Sequence, residues 1–185
     1  ASPTVSFSEI SQTGDLLTIG FSESVSFYGN DTSVISISSD GQQNNITGTN
    51  VSGTSITLNL GTTILSSQSV TLNYNGSTTY LADIDGDQLA QISDLVVTNN
   101  SNIVGFVDGF PYSGDYHTMD GGIKMTGTQH GAGTDQTIYS TLAESNTAGS
   151  AATAESANTA NTAASSAGYG GSSSTAGTAA TGNTA

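Results

Sequence analysis

In Val51-Ser52-Gly53-Thr54-Ser55-Ile56-Thr57-Leu58-Asn59-Leu60, the aliphatic residues Ile56, Leu58 and Leu60 occupy alternate positions after a Ser52-Gly53 turn. Successive side chains on a β-strand point to opposite faces, so this spacing marks a strand with one buried face. The same period recurs on either side. Upstream, Val5 and Phe7 alternate with serines, followed by the run Leu16-Leu17-Thr18-Ile19-Gly20-Phe21, by Val25 and Phe27, and by Val34-Ile35-Ser36-Ile37. Downstream come Val70, Leu72 and Tyr74, and then Leu95-Val96-Val97. Turn material separates these runs: Gly14-Asp15, Gly29-Asn30-Asp31, Asp40-Gly41 and Asn75-Gly76. About seven strands within about a hundred residues, with few helix signals, predict an all-β sandwich with one small two-sheet core.

Several of these strands carry a family resemblance. Leu17-Thr18-Ile19-Gly20-Phe21-Ser22-Glu23-Ser24-Val25 resembles the L-T-L-x-F-S-E-x-V strand of bacterial Ig-like domains of the SwmB type, which occur as repeats in cell-surface glycoproteins. The stretch from Val51 to Leu60 resembles their V-S-G-x-T-V-T-L-x-L hairpin, and Ser69-Val70-Thr71-Leu72-Asn73-Tyr74 their x-V-T-V-x-Y strand. Asp83-Ile84-Asp85-Gly86-Asp87-Gln88-Leu89-Ala90 is similar to D-x-x-G-N-x-L-A, with Asp87 for Asn, and Val97-Thr98-Asn99 to the closing V-T-N. The resemblance spans residues 5 to 99 in order and implies an Ig-like β-sandwich over 1–100 that serves as a non-catalytic surface or spacer module.

Residues 101–142 form a second region, a small hairpin-rich module that holds both histidines and Lys124. The stretch from Pro111 to His130, PYSGDYHTMDGGIKMTGTQH, resembles a P-Y-x-G-x-Y-H-x-x-x-x-G-x-x-M-T-G-x-x-H module of structural proteins of marine tailed phages. Residues 143–185 are almost entirely Ala, Ser, Thr, Gly and Asn, a composition too poor in apolar surface to offset chain entropy alone. Ala148, Ala151, Ala154, Ala157, Ala160 and Ala163 nevertheless fall at three-residue intervals. Three is the repeat of a polyproline-II helix, so this tail reads either as a tether or as a fibrous segment in which three chains pack together.

Composition removes whole classes of function. Lys124 is the sole Lys or Arg against fifteen Asp and Glu, giving a formal net charge of -14. Nucleic-acid binding and docking on anionic lipid both need cationic side chains, as do most clamps on phosphate substrates. No run approaches the ~18 apolar residues of a membrane span. The absence of Cys excludes disulfides and thiolate metal sites. A start at Ala1-Ser2-Pro3 without Met points to a removed leader or a trimmed chain. Five N-x-Ser/Thr matches, at Asn30, Asn45, Asn50, Asn75 and Asn99, are what so Ser- and Thr-rich a chain gives by chance. A charged content of only 9% makes the surface mostly hydroxyl and amide, suited to the outside of a cell or particle.

Two constellations are candidates for chemistry. Asp83, Asp85 and Asp87 alternate around Gly86 and, with Asp94, offer hard oxygen ligands for Ca2+. An EF-hand is excluded, because Gln88 stands where that loop needs Gly and Asp94 where it needs Glu. In the second, His117 and His130 offer a transition-metal pair, closed on a trimer axis by one His from each chain or left as hydrogen-bonded hairpin histidines. Tyr112 and Tyr116, with Asp115, offer a surface for host glycans. No G-x-S-x-G, H-E-x-x-H or P-loop motif is present, and without Trp the aromatic platform for glycoside hydrolysis is poor. The expectation is a non-enzymatic virion structural protein, a capsid decoration or tail-fibre component. It would assemble as a homo-oligomer, for instance a trimer, or with other virion proteins. The alternative is a secreted cell-surface filament, S-layer or adhesin subunit.

Overall fold

The computed structural model describes residues 1–28, 32–76, 81–131 and 135–150. Among the described residues ten strands precede Ser101: β1 (Val5–Ile10), β2 (Leu16–Phe21), β3 (Val25–Phe27), β4 (Ile35–Ser39), β5 (Gln42–Asn44), β6 (Ile46–Ser52), β7 (Ser55–Leu60), β8 (Val70–Tyr74), β9 (Leu81–Asp83) and β10 (Ile92–Asn99). Eight of them run in the order β5-β4-β8-β10-β1-β2-β7-β6, and β3 pairs with β9 outside that set. All pairings are antiparallel except β1 with β10. One half, β1-β2-β7-β6, has the strand order ABED of an immunoglobulin sheet, and the other, β10-β8-β4-β5, has the order GFC with an added edge strand. The parallel β1–β10 seam joins the halves into a nearly closed, sandwich-like barrel. The expected all-β, Ig-like sandwich is what the chain forms.

Inward residues of both halves make one core. Leu17, Ile19, Ile56 and Leu58 from the first half share a cluster with Ile35, Ile37, Val70, Leu72, Tyr74 and Val97 from the second. At the open side Asn44 substitutes for a ladder. It is 3% exposed, its amide donates to the Thr62 carbonyl (2.7 Å) and its side-chain oxygen accepts the Thr62 N–H (3.1 Å).

One element departs from the alternation. The spacing of Val5 and Phe7 predicts that both point inward, but a register shift between them turns Phe7 out, 48% exposed, while Ser8 and Ile10 become buried. One inserted residue exchanges the two faces of a strand. The Phe7 ring then lies across Gly20, where a Cβ would stand 2.0 Å from the ring, so this position accepts no larger side chain while Phe7 stays there.

The chain leaves the sandwich through a dense polar junction. The Asn99 amide donates to the carbonyls of Leu65 and Gln68 (2.8 Å each), Ser101 Oγ donates to the Ile64 carbonyl (2.7 Å) and accepts the Ile103 N–H (3.1 Å). Ile103 and Phe106 then pack on Leu65 in a small second core. Beyond it, among the described residues, lie two short antiparallel sheets: β11 (Gly105–Val107) with β12 (Phe110–Tyr112), and β13 (Tyr116–Thr118), β14 (Lys124–Thr126) and β15 (Thr137–Ile138) side by side. Asp108 (φ 49°) and Gly109 (φ 82°) are both left-handed, as a two-residue type I′ hairpin requires.

A helix over 142–150 follows, where the composition predicts only a tail. Its cause is local. The Thr141 hydroxyl accepts the Glu144 N–H and the Glu144 carboxylate accepts the Thr141 N–H (3.2 Å each), a reciprocal capping box. Ser145, 1% exposed, accepts the Gly109 N–H (2.8 Å) and docks the helix on the hairpin turn. Ala148 therefore lies in a helix. The later positions of the three-residue repeat, like Asn30, lie outside the described residues.

Candidate metal centre

Alternation along β13 sends Tyr116 and Thr118 to one face and His117 to the other, where it stands opposite Met125 of β14. His117 is half-buried, and its Nδ1 lies 2.9 Å from the Gly127 carbonyl. A carbonyl only accepts, so Nδ1 carries the proton and Nε2 of the neutral ring carries the lone pair. Nε2 is buried and has no hydrogen-bond partner. Gly127, at φ 84°, ends β14 and turns the chain toward His130, whose ring centroid is 6.0 Å from that of His117, tilted by 58°.

His130 is exposed, but it is not loose. Its Nδ1 is 3.1 Å from Asp135 Oδ2, which also accepts the Gly131 N–H at 2.7 Å. Asp135 is mostly covered (11% exposed), so a carboxylate with little access to water faces two imidazoles. One ligand atom from each of His117, His130 and Asp135 lies within 4.8 Å of the other two. Among the described residues this is the group of His, Asp and Glu side chains gathered closely enough to hold an ion.

The other expected site residues have different neighbours. Asp83 ends β9 and is 1% exposed; its Oδ1 accepts the N–H groups of Asp85 (2.9 Å) and Asp87 (2.8 Å) and shapes the turn at Gly86. Asp83 Oδ2 has no hydrogen-bond partner, and the Ala1 ammonium is 3.8 Å from it and 3.0 Å from Asp87 Oδ2. Asp85 is exposed, and Asp94 lies on β10 with its N–H on the Asn73 side chain (2.7 Å). The three carboxylates of the 83–87 turn are therefore not drawn into one ligand set. Tyr112 donates to the Asp115 carbonyl (2.8 Å), while the Tyr116 ring lies 5.1 Å below Lys124 Nζ. The two tyrosines thus have separate partners, and the structure joins His117 to His130 instead. The Asn99 sequon side chain is committed to the junction.

Asp135 is the residue that sequence reading misses. It lies outside the stretch 111–130 that carries the phage resemblance, and an Asp after Gly131-Ala132-Gly133-Thr134 looks like ordinary loop material. The available signal is the short separation in sequence, four residues between His130 and Asp135.

Comparison with known proteins gives little beyond this. No protein-family model matches the chain, and no curated protein matches it. Two solved structures are similar to it. The N-terminal part of the bacterial S-layer protein SbsC is 13% identical, with a TM-score of 0.45, covering 76% of this chain and 38% of that one. The S-layer protein rSbsC(31-844) is 15% identical, with a TM-score of 0.43, covering 75% of this chain and 22% of that one. The chain thus spans well under half the length of either.

Proposed function

We propose that this protein is a non-enzymatic structural component of a virion surface, a capsid decoration or tail-fibre part, in which an Ig-like sandwich carries the hairpin module outward. The observation that carries this reading is the junction. Asn99, Ser101 and Ile103 fasten the second module to the end of the sandwich by hydrogen bonds to Leu65, Gln68 and Ile64 and by a small apolar cluster. Such a junction fixes the direction in which the module is displayed, as a load-bearing spacer needs. The resemblance of residues 111–130 to a phage structural module adds the virion. The acidic, amide- and hydroxyl-rich surface suits exposure to bulk saline.

Proteomics of density-purified particles tests the proposal: the protein should copurify with virions in many copies, and its absence removes the virion. Recovery with washed cell envelopes instead would assign it to a cell-surface layer or adhesin, which the same sandwich and composition serve equally well. Light scattering on the full chain and on a chain ending at Ser150 tests assembly. A trimer that becomes a monomer on truncation makes the residues after Ser150 the assembly element.

A further inference from the structure

We propose that His117, His130 and Asp135 form a binding site for one divalent transition-metal ion, of the Zn2+ class, that clips the loop after β14 onto β13. The lone pair of His117 Nε2 is the main evidence. It is buried, unpartnered and directed by the Nδ1 contact with Gly127, and a buried acceptor without a partner is rare enough to need a cause. Donation of the other ring N–H to a backbone carbonyl is how metal-ligating histidines are held in orientation. A second imidazole and a mostly covered carboxylate complete a two-nitrogen, one-oxygen set.

The donor set selects the ion. Two imidazoles with one carboxylate suit Zn2+, Co2+, Ni2+ or Cu2+, whereas Ca2+ and Mg2+ prefer oxygen alone. Tetrahedral metal–ligand bonds of about 2.0–2.2 Å place ligand atoms about 3.3–3.6 Å apart, so the three atoms must close by up to about 1.2–1.5 Å from their present 4.8 Å limit. The exposed ring of His130 has room for that movement, which rearranges its present contact with Asp135. Three protein ligands leave a fourth position for water or for a group from another chain. The site also lies where the fold needs a fastening: β13 and β14 carry no fully buried side chain, and His117 and Met125 between them are only half-covered.

The test uses the tag-free full chain. Titration with Co2+, read by its visible absorption bands, and with Zn2+, read by calorimetry, should each saturate at one ion per chain. His130→Ala, which alters an exposed side chain, should weaken Zn2+ binding by at least about tenfold, and so should the near-isosteric Asp135→Asn. On Zn2+ addition the 15N resonance of His117 Nε2 should shift, and that of Nδ1 should keep its bonded proton. Absence of saturable binding overturns the proposal. Unchanged affinity in His130→Ala also overturns it, because the ion would then lie elsewhere, for example on Asp83 and Asp87.

Discussion

The sandwich and the hairpin module are built by opposite means. In the sandwich, nineteen buried apolar residues among those described pack in one cluster, and chain direction follows from which face each strand turns inward. In the module, the buried apolar cluster is reduced to Ile103 and Phe106 on Leu65 of the sandwich. What replaces a core there is a type I′ turn, a capped helix docked through Ser145, and side chains whose polar atoms meet one another. Burial makes a region stable at little cost in specific residues; a polar framework leaves its side chains exposed to partners. The candidate metal site lies in the second kind of region because only there do imidazoles and a carboxylate meet outside a dry core.

The largest effects should come from the sandwich. Leu58, fully buried between the two halves, should cost about 4 kcal/mol when changed to Ala, read as a lower urea midpoint for the whole sandwich. Phe106→Ala, at 4% exposure, removes a comparable volume from the small cluster. Its loss should appear by hydrogen exchange in residues 103–139 while the sandwich midpoint stays in place. If Phe106→Ala lowers that midpoint as far as Leu58→Ala does, the two regions unfold as one unit and the contrast between them fails.

Asp83 sharpens the contrast from the other side, as a polar framework inside the apolar region. Replacing it with Ala leaves the N–H groups of Asp85 and Asp87 without their carboxylate and should cost about 2 kcal/mol. Asp85→Ala, at an exposed position of the same turn, should stay within about 0.5 kcal/mol. Equal costs would show that net charge in the turn, rather than the two hydrogen bonds, sets its stability.

How far each region is legible in the sequence follows from the same division. Strands with a fully buried face, such as β7 and β8, announce themselves by alternation of Ile56, Leu58 and Leu60 or of Val70, Leu72 and Tyr74. The edge strands do not: Gln42–Asn44 and Ile46–Ser52 pair on one side and, Asn44 apart, are exposed or only half-buried, so no apolar alternation marks them. Bulges are silent as well, which is why Phe7 faces outward against its spacing. The helix over 142–150 was readable in Thr141 and Glu144 as a capping pair, but the bland residues after it conceal that signal. At the candidate site the histidines stand out by rarity. Asp135 does not, because its role arises only when the chain folds back to His130.

The smallest effect tests whether a hydroxyl-rich surface turn contributes at all. Between β1 and β2, Asp15 accepts hydrogen bonds from the Thr13 and Ser11 hydroxyls. The Thr13 hydroxyl, above all, holds the Asp15 carboxyl below its ordinary value of 3.8. The folded state therefore favours the carboxylate, and as pH falls the unfolded chain takes up the proton first. The stabilisation is complete above pH 3.8 and is lost as pH drops below that value through the folded one. Asp15 is exposed, so solvent screening keeps the effect well below about 1 kcal/mol. In Thr13→Val the Asp15 titration, followed by side-chain carboxyl NMR, should move up toward 3.8, and the acid-side slope of stability should flatten. An unmoved titration would assign the shift to Ser11 and the turn backbone. The loop between the strands would then owe nothing to the threonine that makes it look designed.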